Sequence, residues 1–187
     1  MAESVNELLA AIAAEVRSCT ACPLHETRTR AVPGEGAADA AVAFNGEAPG
    51  GDEDRQGRPF VGRSGQFLRH TIRQVGWREE DVFIGNVLKC RPPGNRDPQD
   101  EEIKACQHFL MAQLVLLQPS VIVTLGRFSL HLLVDTRLQI SKVRGQHLRK
   151  DGQLYLPTYH PSAILRNNNL QPDFYRDLVV AKKLSTA

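Results

Sequence analysis

The sequence predicts an α/β protein, a single-domain, three-layer α/β/α sandwich over residues 1–187 with a central, mostly parallel four-stranded sheet. Two observations carry this. Four short apolar runs alternate with segments of helical period, a pattern that right-handed crossovers fold into a parallel sheet covered on both faces. A chain of 187 residues at 42% hydrophobic content buries one sizeable core but is short for two.

The first helix is expected over residues 4–17, where Leu8, Leu9, Ile12, Ala13 and Val16 recur at helical spacing and Ser4 with Glu7 forms a capping pair. It delivers the chain to Cys19 and Cys22. Residues 41–44 read as a buried strand closed by Gly46, Pro49, Gly50 and Gly51. Phe67, Leu68, Ile72 and Val75 mark a helix starting near Ser64. A second strand spans 82–88, followed by the breaker run Arg91-Pro92-Pro93-Gly94-Asn95 and a long helix over 99–117. A third strand, 120–125, ends at Gly126. A shorter helix over 128–134, an irregular basic stretch to Lys150, a fourth strand over 154–159 and a closing helix over 174–184 complete the chain. Ligands of such sheets bind beyond the carboxyl ends of the strands. Gly46-Glu47, Asn86 and His160 all fall near predicted strand ends, so one shared site is expected there.

Composition excludes little else. The net charge is +2 and the pI near 8.4, so any nucleic-acid contact has to come from a local patch. Met1-Ala2-Glu3-Ser4 carries an acid where a secretory leader carries basic residues, and the apolar stretch 114–125 is broken by Gln118 and Pro119. A cytoplasmic protein without membrane contact is the expectation. There, four cysteines point to a metal or to catalysis rather than to disulfides.

Cys19-Thr20-Ala21-Cys22 is a C-x-x-C pair, and Cys90 and Cys106 are separated by fifteen residues. A pair holds one metal between two thiolates; a tetrahedral zinc site or a [4Fe-4S] cluster needs two more ligands from elsewhere in the fold. Spacing leaves open both of these, ordinary buried thiols, and a redox pair, although a redox pair should open a helix after a strand and this one follows a helix.

Gly46-Glu47-Ala48-Pro49-Gly50, then Gly57-Arg58-Pro59-Phe60-Val61-Gly62, form a glycine-rich, acidic segment able to cradle a small polar ligand. It is neither a Walker motif nor a dinucleotide fingerprint. These two segments, the run from Gly85 to Arg96 (Gly-Asn-Val-Leu-Lys-Cys-Arg-Pro-Pro-Gly-Asn-Arg) and Tyr159-His160-Pro161-Ser162 resemble, in order, the signatures of family 4 uracil-DNA glycosylases. The resemblance runs from about Cys19 to Arg166 and includes the four cysteines.

The resemblance implies a monofunctional enzyme that flips uracil out of single- or double-stranded DNA and hydrolyses its N-glycosidic bond as a monomer, starting base excision repair. It implies a structural [4Fe-4S] cluster on Cys19, Cys22, Cys90 and Cys106. It makes Phe60 the residue that stacks on the base, Asn86 the one that reads its edge, and Gly46, Glu47 and Ala48 part of the uracil pocket. His160 donates to uracil O2, where negative charge develops. Glu53 holds water and the sugar, and Glu47 walls the pocket near C5. Ser162, Ile164, Leu165 and Arg166 form a minor-groove loop with Ile164 or Leu165 as the wedge, although Ala163 stands where the family often has an aromatic. Arg91 and Arg144, with Arg96, Arg149 and Lys150, are candidate phosphate contacts. Asp52 and Asp54 read as solvated acids. The run after Cys90 lacks the histidine-bearing insertion of a related branch that is trapped covalently on DNA, so turnover by hydrolysis is expected.

Overall fold

A computed structural model describes residues 4–186; the Met1 to Glu3 segment weighed for a leader, and Ala187, lie outside the described residues. The order of elements is α1 (Val5–Ser18), α2 (Leu24–Thr27), β1 (Glu35–Gly36), β2 (Val42–Gly46), α3 (Gly51–Gln56), α4 (Arg63–Val75), β3 (Phe83–Asn86), α5 (Asp100–Leu117), β4 (Val121–Leu125), α6 (Arg127–Leu133), α7 (Ile140–Val143), β5 (Leu148–Lys150), β6 (Gln153–Thr158), α8 (Pro161–Arg166) and α9 (Gln171–Ser185).

The sheet has six strands, in the order β1-β3-β2-β4-β6-β5, rather than the four expected. The four read from the sequence, β3, β2, β4 and β6, run parallel in its middle. The other two, β1 and β5, are antiparallel edges of two and three residues. Edges that short carry no alternation, and β5 lies in the basic stretch read as irregular. Both faces of the central strands are buried, which is why their sequences are continuous apolar runs.

Alternation within each strand sorts two cores. Val42, Phe44, Ile84, Val121, Val123, Leu125 and Leu156 meet α4, α8 and α9 on one face. Ala43, Phe83, Ile122 and Tyr155 meet α5 and α6 on the other. Helix α1 lies against α5, and its capping pair is formed as expected: Ser4 Oγ accepts from the Glu7 amide while the Glu7 carboxylate accepts from the Ser4 amide. A third cluster, of Val16, Leu24, Leu88 and Phe109, surrounds the cysteines.

Two other segments differ from expectation. The acidic stretch is the short helix α3, started by Gly50 and stopped by Gly57 in the left-handed region (φ 69°). The segment after His160 is the helix α8 rather than a loop, with Pro161 at its first position, where a missing N–H costs nothing. Among the described residues no helix is long and apolar enough to cross a membrane.

Phe44 is fully buried and meets Trp77 edge-on at 5.5 Å. Truncation to Ala leaves a cavity between β2 and the loop after α4, and Phe44→Ala is expected to lose about 3–5 kcal/mol. Trp77 is the only tryptophan, so its fluorescence during denaturant unfolding reads the loss directly.

Candidate active site

A cavity of about 360 Å³ opens at the carboxyl ends of the central strands. Parallel register aligns those ends, with Gly46 opposite Asn86 and Leu125 opposite Thr158. Beyond them, Glu47, Ala48, Glu53, Phe60, Asn86, His160, Ser162 and Arg166 line the cavity, so most of the residues expected to form one site do so.

Gly46 lies beneath rather than along the cavity. A Cβ there would stand 2.5 Å from the Phe60 ring and 2.6 Å from Asn86 Oδ1, so only glycine lets both come together. Asn86 is buried at the last position of β3, and among the described residues nothing donates to its Oδ1. A buried acceptor left without a partner costs about 1–3 kcal/mol. A ligand N–H would recover that cost. Phe60 is buried beside it at a φ of 51°, the left-handed region that an aromatic residue enters at a cost of about 1–2 kcal/mol.

His160 caps α8. Its Nδ1 faces the Ser162 amide at 3.1 Å and Ser162 Oγ at 2.8 Å. A backbone N–H can only donate, so Nδ1 accepts and the ring proton sits on Nε2. Burial, with the Arg166 charge acting the same way, pushes the His160 pKa down to about 4. The imidazole is therefore a neutral donor at pH 7, and its ring lies 5.8 Å from that of Phe60.

Glu53 sits in the first turn of α3, buried, with Oε1 accepting from the Val61 and Gly62 amides, each at 2.9 Å. Two donors on one oxygen fix the carboxylate and leave Oε2 free beside Gly50. Asp54, read as a solvated acid, is instead buried, its Oδ1 accepting from the Thr29 amide at 2.8 Å and so tying α3 to the segment after α2. Asp52 does face solvent, paired with Arg55.

Two expected DNA contacts are placed elsewhere. Arg144 donates to the buried Asp177, which also accepts from Thr158 Oγ1 at 2.6 Å, so its guanidinium braces β6 against α9 instead of meeting phosphate. Ile164 is core, 1% exposed, because α8 turns it onto α4; Leu165, one residue on, is 41% exposed. Arg91 is half-buried over the start of α3, its Nε donating to Asn95 Oδ1 at 2.7 Å.

The cavity also takes in Ser64, Asn95, Arg96 and Asp97, which sequence reasoning did not assign to the pocket. Three of them lie at the end of the breaker run and just after it, where irregular backbone carries no periodic signal. Asp97 pairs with Arg127 at the start of α6.

Cys19, Cys22, Cys90 and Cys106 line a second, much smaller cavity, and none is in a disulfide. Arg28 donates to Cys90 Sγ at 3.1 Å and the Lys89 amide to Cys106 Sγ at 3.3 Å. Burial raises the Cys90 thiol and pushes Cys106 up to about 11, so both are protonated until a cation displaces the protons. Among the described residues no three His, Cys, Asp or Glu side chains converge on one metal ion.

Glu47 is half-buried at the mouth of the active-site cavity. Burial, reinforced by Asp97 and opposed by Arg127 and Arg166, raises its carboxyl to about 7. A raised acid makes the native state hold a proton that the unfolded chain has lost, so stability falls as pH rises from about 4.5 to about 7. Glu47→Gln removes that loss: the variant should melt higher than the parent at pH 8 and no higher at pH 4.5, as calorimetry at the two values reads.

The Uracil DNA glycosylase superfamily model matches residues 33–181. A type-4 uracil-DNA glycosylase of Thermotoga maritima is 48% identical over 181 residues, 95% of this chain and 94% of the relative. Type-4 enzymes of Archaeoglobus fulgidus, at 44% over 91% of this chain and 90% of theirs, and of Sulfurisphaera tokodaii, at 43% over 91% and 82%, are similar throughout. With the family model covering the whole sheet and relatives this alike over nearly the full length, the chain belongs to the uracil DNA glycosylase superfamily, alongside its type-4 members.

Proposed function

We propose that the protein is a monofunctional uracil-DNA glycosylase of base excision repair, acting as a cytoplasmic monomer on uracil in single- or double-stranded DNA. The observation that carries the reading is the unpartnered Asn86 Oδ1, buried beside an aromatic ring and a neutral histidine donor. Uracil offers an N–H at N3 where cytosine has a lone pair, so the orphaned acceptor selects the first.

A base stacked in a duplex is out of reach, so the nucleotide swings into the cavity and stacks on Phe60. Leu165, exposed on α8, fills the gap left in the helix. Asn86 Oδ1 accepts from N3–H. The C1′–N1 bond breaks with its electron pair moving onto the base, and His160 Nε2–H donates to O2, where that charge gathers. The sugar becomes cationic. Glu53, held by two amides, directs its free oxygen to the water that attacks C1′ and takes up the proton released. Glu47 walls the pocket near C5 against a methyl group, and the charged form adds an anion near the sugar. Arg91 and Arg166 meet phosphate, with Ser162 fixing the histidine.

Cys19, Cys22, Cys90 and Cys106 line one cavity and would supply the four thiolates that a [4Fe-4S] cluster takes. When bound, the cluster supplies a structural tie between the segment after α1, the end of β3 and helix α5.

The direct test is an oligonucleotide with one uracil, treated with alkali after incubation to cut any abasic site. Cleavage at uracil and none at thymine is expected; intact uracil DNA from iron-loaded protein defeats the reading. Asn86→Asp turns the acceptor pattern toward a cytosine amino group and should slow uracil excision by about 10²-fold, with cytosine release appearing. Cys106→Ser should cost the protein its visible iron-sulfur absorption and lower its melting temperature.

A further inference from the structure

We infer that Arg69 is a positioning residue for base recognition, acting through Phe60. The inference rests on the proposed stacking role of Phe60. Phe60 holds a left-handed backbone conformation that its own side chain disfavours, so something outside the residue has to keep it there. Arg69, on α4, donates Nε to the Phe60 carbonyl at 2.8 Å and Nη2 to the Pro59 carbonyl at 2.7 Å. One guanidinium thus grips two consecutive carbonyls. The grip is itself braced: Nη2 also meets Glu35 Oε1 at 2.7 Å, and Nη1 meets Glu79 Oε2 at 2.9 Å. The Arg69 side chain is only 12% exposed and faces away from the cavity lining, so it touches no substrate.

Gly65, one turn before Arg69 on the same face of α4, completes the clamp. A Cβ there would come within 2.0 Å of the Phe60 carbonyl carbon, so the helix lies directly on that peptide. The arrangement gives a task to the two-residue edge strand β1: through Glu35 it anchors both Arg58 and Arg69. A lysine cannot substitute, because one ammonium lacks the planar fork that spans two carbonyls and two carboxylates.

The test is a double-mutant cycle of Arg69→Met and Phe60→Ala, read by inhibition with free uracil and by single-turnover cleavage of uracil DNA. Arg69→Met should raise the uracil inhibition constant about 10-fold in the parent and by less than about 2-fold in the Phe60→Ala background. Equal losses in both backgrounds, or no loss in the parent, would overturn the inference. Should Arg69→Met not fold, Glu35→Gln takes its place in the cycle, with about a 3-fold effect expected in the parent and none without the Phe60 ring. Phe60→Ala alone separates the two ideas: unchanged uracil affinity in that variant defeats the stacking assignment, whatever Arg69 does.

Discussion

Parallel register at the carboxyl ends of β2 and β3 is the constraint on which the candidate site depends. Pairing Gly46 with Asn86 puts an amide side chain where the neighbouring strand has no side chain at all. That vacancy admits the Phe60 ring and leaves Asn86 Oδ1 without a protein donor. The chain then continues the pairing past the strand: the Val87 and Leu88 amides donate to the Gly46 and Glu47 carbonyls at 3.1 and 2.9 Å. The proposed base reader and the acidic wall are therefore fixed by backbone bonds rather than by flexible side chains. A shift of one residue would turn Asn86 to the other face of the sheet and abolish the pocket.

Around this frame the histidine is kept neutral among charged groups. His160 is kept uncharged by burial and by Arg166, and its proton is held on Nε2 by the Ser162 amide. Glu47 is held near its titration point by burial and Asp97 against Arg127 and Arg166. A neutral, buried donor gains more from negative charge developing on a departing base than from the intact nucleotide, and that difference is what a catalyst needs. Arg96 and Arg166 stand in the cavity lining as its cationic groups.

The fold was legible where periodicity is strong. The four central strands and helices α1, α4, α5 and α9 were each read within a few residues of their bounds, since buried parallel strands and amphipathic helices leave distinct patterns. The edges β1 and β5 were missed because two or three residues hold no pattern. Residues of the cavity lining were legible where they sit in glycine- and proline-marked segments, Glu47, Asn86 and His160 at strand ends and Phe60 between α3 and α4. Roles that depend on which way a helix turns were not: Ile164 and Leu165 are adjacent and both apolar, and only the packing of α8 decides that one is core and the other exposed. The places of Arg144 and Asp54 were not legible for a related reason, because a charged residue in a polar stretch gives no sign of a partner far away in the chain.

The cysteine cavity and the pocket belong to one mechanical unit. Asn86 and Cys90 are four residues apart, and the short segment between them is pinned on both sides: by the bonds to Gly46 and Glu47, and by the Lys89 carbonyl, which accepts from Val32 at 2.7 Å. Lys89 itself is buried, its Nζ donating to Gln113 Oε1 on α5 at 2.8 Å, while its amide donates to Cys106 on the same helix. Gln113 passes the connection on to the Pro33 carbonyl. Any group that ties Cys90 and Cys106 to the cysteines after α1 therefore stiffens the exit of β3, and with it the direction in which Asn86 points. A remote structural tie would act on the pocket in this way without contributing an atom to it: it removes the freedom of the segment that carries Asn86.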